Sequence, residues 1–138
     1  MSDQYDRLYA QLTELIPDLT ELQPGDHRKS TATGFMDLSL DVLFKSKEKM
    51  RIALAHNYEQ NGDLIPDPDM EIRVYLIEGW NKAEALTYQD ARRYDAVYPE
   101  PGKVYPRLKK SLNAFLKVWL TNLKKQGHSL APQAGDKE

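Results

Sequence analysis

The stretch Tyr105 to Gly127, YPRLKKSLNAFLKVWLTNLKKQG, sets the architecture of this chain. Leu108, Leu112, Phe115, Leu116, Trp119, Leu120 and Leu123 recur at three- and four-residue steps, which places them on one side of an α-helix. Pro106 suits the first turn, where an amide hydrogen has no intrahelical acceptor, and Gly127 suits the left-handed residue just past the end. Lys124 and Lys125 sit where the carbonyl end of the helix dipole favours cations. A helix this amphipathic needs a broad apolar surface to cover.

That surface is read upstream as strands. Met36, Leu38, Leu40, Val42 and Phe44 alternate with Asp37, Ser39, Asp41 and Leu43, and after the charged turn Lys45 to Lys49 the alternation resumes at Met50, Ile52, Leu54, His56 and Tyr58. A hairpin symmetric about Lys47 puts Val42 opposite Ile52 and Leu40 opposite Leu54 on the buried face. Asp41 and Arg51 become diagonal neighbours on the other face. Gln60 to Asp69, QNGDLIPDPD, reads as a loop. Met70 to Ile77 is a third strand with Met70, Ile72, Val74 and Leu76 inward, and Lys82 to Tyr88 is a shorter fourth.

The remaining segments are simpler. Tyr5, Leu8, Tyr9, Leu12, Leu15 and Ile16 form an N-terminal helix, capped by Ser2 or Asp3 and ended by Pro17. Asp18 to Gly34 reads as a polar connector, Gln89 to Tyr94 as a helical turn, and Tyr98 to Tyr105 as a proline-containing loop. The fold expected is α+β: an N-terminal helix, a four-stranded antiparallel β-meander, and a long C-terminal amphipathic helix packed on one sheet face. Residues 1–127 make one domain, and 128–138 read as a disordered tail.

Composition narrows function by exclusion. The 138 residues carry 19 basic and 21 acidic side chains, a net charge of -2, which gives no overall drive toward nucleic acid or an anionic membrane. There is no cysteine, so disulfides, thiolate nucleophiles and thiolate metal sites are all excluded. No apolar run approaches the roughly 18 to 20 residues that span a bilayer. The N-terminus lacks a secretory pattern, and a cytoplasmic protein is the simplest reading. The phosphate-loop, dinucleotide, nucleophile-elbow and zinc-protease motifs are missing, and no cofactor or metal is expected.

The second half resembles the YqiB-like family of uncharacterised proteobacterial proteins. Met70-Glu71-Ile72-Arg73-Val74-Tyr75 is similar to that family's strand motif, Ala83-Glu84 to its next strand, and Tyr98-Pro99 to its loop. Asn113-Ala114-Phe115-Leu116, Trp119-Leu120, Leu123 and Gly127 are similar to its C-terminal helix. Arg107-Leu108-Lys109 replaces the usual Asp-Glu-Lys run, so only Lys109 survives, and Ile77 replaces an acidic residue. The resemblance implies a cytoplasmic bacterial α+β protein and supplies no reaction. A link to nucleotide metabolism is implied only by gene neighbourhood.

Two surfaces remain as candidates for binding. Arginine forks and aromatic planes gather in Arg73, Tyr75, Arg92, Arg93, Tyr94 and Tyr98, and Glu84 and Lys109 complete the set of candidate ligand- or partner-binding residues. That pairing suits a small anionic ligand or a protein partner, because arginine grips phosphate or carboxylate bidentately while tyrosine stacks. The competing reading is ordinary packing of a proline loop on the sheet. Lys110, Lys117 and Lys124 form a basic ridge on the helix, which also reads as a solubilising face.

A non-enzymatic binding or adaptor domain is therefore the first reading. The alternative is an enzyme acting on a nucleotide-like phosphorylated substrate, with Glu84, Tyr75 or His56 as the acid–base group. His56, on the apolar strand face, reads more simply as a hydrogen-bonded core histidine. Asn113, between stripe and ridge, is expected to hydrogen-bond the helix to a loop. Tyr75, Ile77, Leu86 and Tyr88 would leave an apolar patch suited to a homodimer.

Overall fold

The computed structural model describes residues 3–132. Helix α1 (Gln4–Leu15) opens with a capping box, in which the Asp3 side chain accepts from the Asp6 amide and the Asp6 side chain accepts from the Asp3 amide. It buries Leu8, Leu12 and Leu15. After a 3-10 turn (Leu19–Glu21) come strands β1 (His27–Ser30), β2 (Leu38–Lys45), β3 (Lys49–Gln60), β4 (Asp63–Tyr75), β5 (Ala83–Ala85), β6 (Thr87–Gln89) and β7 (Tyr94–Ala96). Helix α2 (Pro106–Gln126) follows, with Pro106 in its first turn and Gly127 closing it at φ 93°.

All seven strands join one antiparallel sheet in the order β1-β2-β3-β4-β6-β7, with β5 on the same edge of β4 as a second short partner. One face of that sheet is the core. Leu38, Leu40, Val42, Met50, Ile52, Leu54, Met70, Ile72 and Val74 are all buried there, under Leu112, Leu116, Trp119, Leu120 and Leu123 of α2 and the apolar stripe of α1. Burying each such side chain stabilises by roughly 1.5 to 3 kcal/mol, so this single layer carries most of the folding free energy. The α+β architecture and the helix on one sheet face agree with the sequence reading. Within the stripe, Phe115 is the exception: it is exposed at the rim, where its ring edge meets Tyr88.

The strand count does not agree. Among the described residues seven strands replace the expected four, for three physical reasons. Strand β1 is an edge strand of sequence HRKS whose residues are mostly solvated, so it shows no apolar alternation inside the supposed connector. The supposed fourth strand breaks at Leu86, giving β5 and β6, because its register on β4 slips by one residue there: Ile72 pairs with Ala85 but Asp69 with Gln89, and the Glu71 amide donates to the Thr87 hydroxyl. The supposed helical turn at Gln89 to Tyr94 is the β6–β7 hairpin turn, held by Asp90, which accepts from the Arg92 and Arg93 amides and the Tyr88 hydroxyl.

Two register results bear on function. Val42 pairs with Ile52 and Leu40 with Leu54, as the symmetric hairpin requires. The register then slips between Val42 and Phe44, so that Phe44 stands opposite Arg51. This bulge turns Phe44, placed inward by simple alternation, onto the outer face, where it is exposed. Asp41 keeps its place opposite Ala53, but its carboxylate meets His27, and Arg51 meets Glu71 at 3.4 Å.

Residues 60–69 are not a loop. Strands β3 and β4 run on as a hairpin arm closed by Asn61-Gly62, both with positive φ, the geometry of a two-residue hairpin turn. The start of the supposed tail is also ordered. His128 and Leu130 are buried, the Leu130 amide donates to the Leu15 carbonyl, and the Arg28 guanidinium donates to the Leu130 carbonyl. The rest of that segment, 133–138, lies outside the described residues, as does Ser2, the alternative cap.

Candidate functional site

A cross-strand row crosses the outer face of the sheet. Phe44 of β2 faces Arg51 of β3, Arg51 faces Arg73 of β4, and Arg73 faces Glu84 of β5. Period-2 geometry puts Arg51, Arg73 and Glu84 on one side, because their neighbours Met50, Ile52, Ile72, Val74, Ala83 and Ala85 are committed to the core, and the β2 bulge brings Phe44 to the same side. Strand β5 is held on both flanks. It pairs with β4, and on its other side the Ala85 amide donates to Asn113 Oδ1 of α2 at 2.8 Å. Asn113 Nδ2 donates to the Lys109 carbonyl at 2.8 Å, and the side chain is buried. Asn113 therefore joins helix to strand, where the sequence suggested helix to loop.

Glu84 is only 6% exposed, yet no cation touches it directly among the described residues. Its two carboxylate oxygens accept instead from two tyrosines: Tyr75 Oη at 2.8 Å and Tyr98 Oη at 2.6 Å. Each tyrosine in turn accepts from a cation. Arg73 donates to Tyr75 Oη at 3.4 Å, and Lys109 Nζ donates to Tyr98 Oη at 3.0 Å. The result is a symmetric chain, Arg73–Tyr75–Glu84–Tyr98–Lys109, around one buried carboxylate. The Arg73 guanidinium also lies 5.4 Å from the Tyr98 ring centroid, and Lys109 Nζ lies 5.6 Å from the rings of Tyr5 and Tyr98.

The electrostatics follow from this wiring. Burial pushes the Tyr75 and Tyr98 hydroxyls up, and hydrogen bonding to Glu84 adds to the shift. Both therefore stay protonated as donors. The Tyr98 hydrogen bond raises Lys109. Burial works against the Arg73 charge, but the Tyr75 contact and nearby Glu84 outweigh it, and its pKa moves up. The cluster thus holds two fixed cations against one carboxylate. Most of the five Arg73 N–H donors remain unused by Tyr75.

Three concave surfaces meet here. Arg73 and Tyr98 line an open cleft of about 630 Å³ with the loop from Pro99 to Val104. Tyr98, Tyr75, Glu84 and Lys109 line a second of about 410 Å³, closed by Tyr5, Trp80 and Lys82. Lys82 there is committed to Asp3 at 2.7 Å and Asp6 at 2.9 Å. A third groove of about 200 Å³ lies on the other side of Arg73, between Phe44, Lys49, Met50 and Arg51.

Of the residues singled out in the sequence, Arg73, Tyr75, Glu84, Tyr98 and Lys109 converge. Arg92, Arg93 and Tyr94 do not join them. They sit on the β6–β7 turn, where Arg93 stacks over Tyr88 at 4.8 Å and pairs with Asp95 at 3.1 Å, and Tyr94 is exposed. Sequence proximity had merged two patches that strand β6 keeps apart.

The patch expected from Tyr75, Ile77, Leu86 and Tyr88 does not form either, because Leu86 is buried and Tyr88 packs on Phe115. His56 is a core histidine, as its place on the apolar face suggests. Its Nδ1 lies 2.9 Å from the Asp37 carbonyl, and its ring meets Trp119 edge-on. Its other neighbour, His128, was hidden in the supposed tail. Phe44, Lys49 and Arg51 also escaped the sequence reading as site residues. The bulge that exposes Phe44 leaves no sequence signal, whereas the cross-strand meeting of Arg51 and Arg73 follows from register alone. Among the described residues no cluster of histidines and carboxylates has the arrangement of a metal site.

Among the described residues these features define an α+β fold: two helices on one face of an antiparallel sheet, and an aromatic–cation cluster that runs from the other face to Tyr5 and Lys109 of the helices. No helix among the described residues is long and apolar enough to cross a membrane. The chain belongs to the family described as Domain of unknown function (DUF6908), whose family model matches residues 10–129. An uncharacterised family was expected, but the match lends no support to the YqiB-like resemblance, and no residue role is carried over from it. No curated protein and no solved structure matches the chain significantly.

Proposed function

We propose that this is a non-enzymatic binding domain for a small anionic ligand, with a cytoplasmic setting. The ligand's anion sits on the Arg73 guanidinium in the cleft over Tyr98. One observation carries the reading: Arg73 and Lys109 are wired to the buried Glu84 through tyrosine hydroxyls, and among the described residues neither makes a direct ion pair. A guanidinium fixed on an aromatic ring, with donors to spare, is preorganised for phosphate or carboxylate. The concave shape favours a small ligand over a protein partner, which prefers a broader face.

The enzymatic alternative, chemistry on a nucleotide-like phosphorylated substrate, gains little from the geometry. Tyr75 and Tyr98 are pushed away from the tyrosinate form, and both carboxylate oxygens of Glu84 are occupied by them.

The test is a calorimetric and thermal-shift titration with phosphate, citrate and adenosine monophosphate. Binding is expected for wild type and lost in Arg73→Ala, which should still melt cooperatively. Equal binding by Arg73→Ala, or no binding by wild type, overturns the reading.

A further inference from the structure

The third groove bears on what kind of anion fits. Arg51 and Arg73 are direct cross-strand partners on the outer face, an arrangement that like charges make unfavourable. Glu71 offsets this at Arg51 from 3.4 Å, in a pair that solvent reaches, and Glu84 offsets it at Arg73 across the strands and through Tyr75 rather than by a direct bond. Lys49, next but one to Arg51 on β3 and opposite Tyr75, lines the same groove and is exposed. Three cations therefore crowd one small concavity, beside the exposed ring of Phe44, which only the β2 bulge puts there. Arg73 is common to this groove and to the large cleft over Tyr98, so the two concavities adjoin through one guanidinium.

We infer that the ligand carries two anionic groups of the phosphate type, one on each side of Arg73. The first sits in the Tyr98 cleft, the second between Lys49, Arg51 and Arg73, with Phe44 as a stacking plane for a flat moiety. This rests on the reading of Arg73 as an anion-binding residue given above. A second anion offsets the cation left over when Glu71 and Glu84 are set against Lys49, Arg51 and Arg73, and the planar fork of each arginine can grip it bidentately. A single anion in the Tyr98 cleft would leave Lys49 and Arg51 with one carboxylate, Glu71, between two cations.

The experiment compares adenosine monophosphate with adenosine 3′,5′-bisphosphate by calorimetry at one ionic strength. The bisphosphate is expected to bind about tenfold more tightly, the return of roughly one additional charge-assisted hydrogen bond. In the double variant Lys49→Ala/Arg51→Ala the ratio of the two affinities should collapse to about one, since those exposed side chains serve only the second group. In Arg51→Lys, which keeps the charge but loses the fork, the ratio should fall only partway. Equal wild-type affinities for the two compounds, or a ratio that survives the double variant, overturn the two-anion inference and leave single-anion binding at Arg73 standing. Failure of both compounds to bind overturns both readings together.

Discussion

Leu130→Ala isolates the docking of the C-terminal segment. Leu130 is 1% exposed and belongs to the same apolar cluster as α1 and the sheet. Its truncation removes three side-chain carbons from a packed site and leaves a cavity, which costs about 2 to 5 kcal/mol. Backbone contacts of the segment survive this change, because they are made by main-chain atoms: the Leu130 amide to the Leu15 carbonyl at 2.8 Å, and its carbonyl to Arg28 at 2.8 Å. Deleting 128–138 removes those as well, together with the 2.8 Å contact between His128 and Ser30. Each net hydrogen bond adds roughly 1 kcal/mol. The deletion should therefore destabilise more than Leu130→Ala.

Urea melts of wild type, Leu130→Ala and the deletion, followed by Trp119 and Trp80 fluorescence and by circular dichroism, give the three stabilities. The midpoints should fall in that order, with little change in slope for Leu130→Ala. A deletion variant with the wild-type midpoint would mean that the segment is a free tail, and would refute the docking argument.

Two further outcomes follow. Asn113→Ala leaves the buried Ala85 amide without its acceptor, which costs about 1 to 3 kcal/mol. Because Ala85 adjoins Glu84, this variant should also weaken anion binding in the titration proposed for Arg73; a stability loss with wild-type affinity would separate the two roles and refute the positioning argument. For pH, burial and the neighbouring His56 lower the His128 pKa below its ordinary 6.5. The unfolded chain then binds more protons, so this contribution to stability is complete above pH 6.5 and is lost as pH falls through the lower folded value. Urea midpoints between about pH 7.5 and 5.5 should drop for wild type and drop less for His128→Gln; parallel drops would exclude His128.

Legibility in the sequence tracked the strength of the hydrophobic signal. The α2 stripe, the β2–β3 pairing and the inward face of β4 were readable because side-chain period and burial coincide there, residue by residue. Edge elements were not. Strand β1 buries little, and a solvated HRKS carries the composition of a connector. The hairpin arm at 57–66 contains Pro66, which reads against a strand, although Asn61-Gly62 announced its turn. His128 and Leu130 follow a helix-ending glycine in a stretch too short to show any period.

The candidate site divides in the same way. Types and spacing in the chain chose Arg73, Tyr75, Glu84, Tyr98 and Lys109, since arginine, tyrosine and carboxylate near a proline loop are chemistry-bearing wherever they fall. They equally chose Arg92, Arg93 and Tyr94, which the fold sends elsewhere, because nearness in sequence is not nearness in space once a strand turns.

What the chain determined alone is which surfaces must meet: an apolar helix stripe and an alternating sheet face, driven together by water regardless of partners' exact register. Tertiary structure alone decided which polar groups share the opposite face. A one-residue bulge at Leu43, the break at Leu86 and the Asn113 bridge each move a side chain from one neighbourhood to another at little cost in apolar burial. The hydrophobic pattern is therefore blind to them, although the chemistry of the site depends on all three.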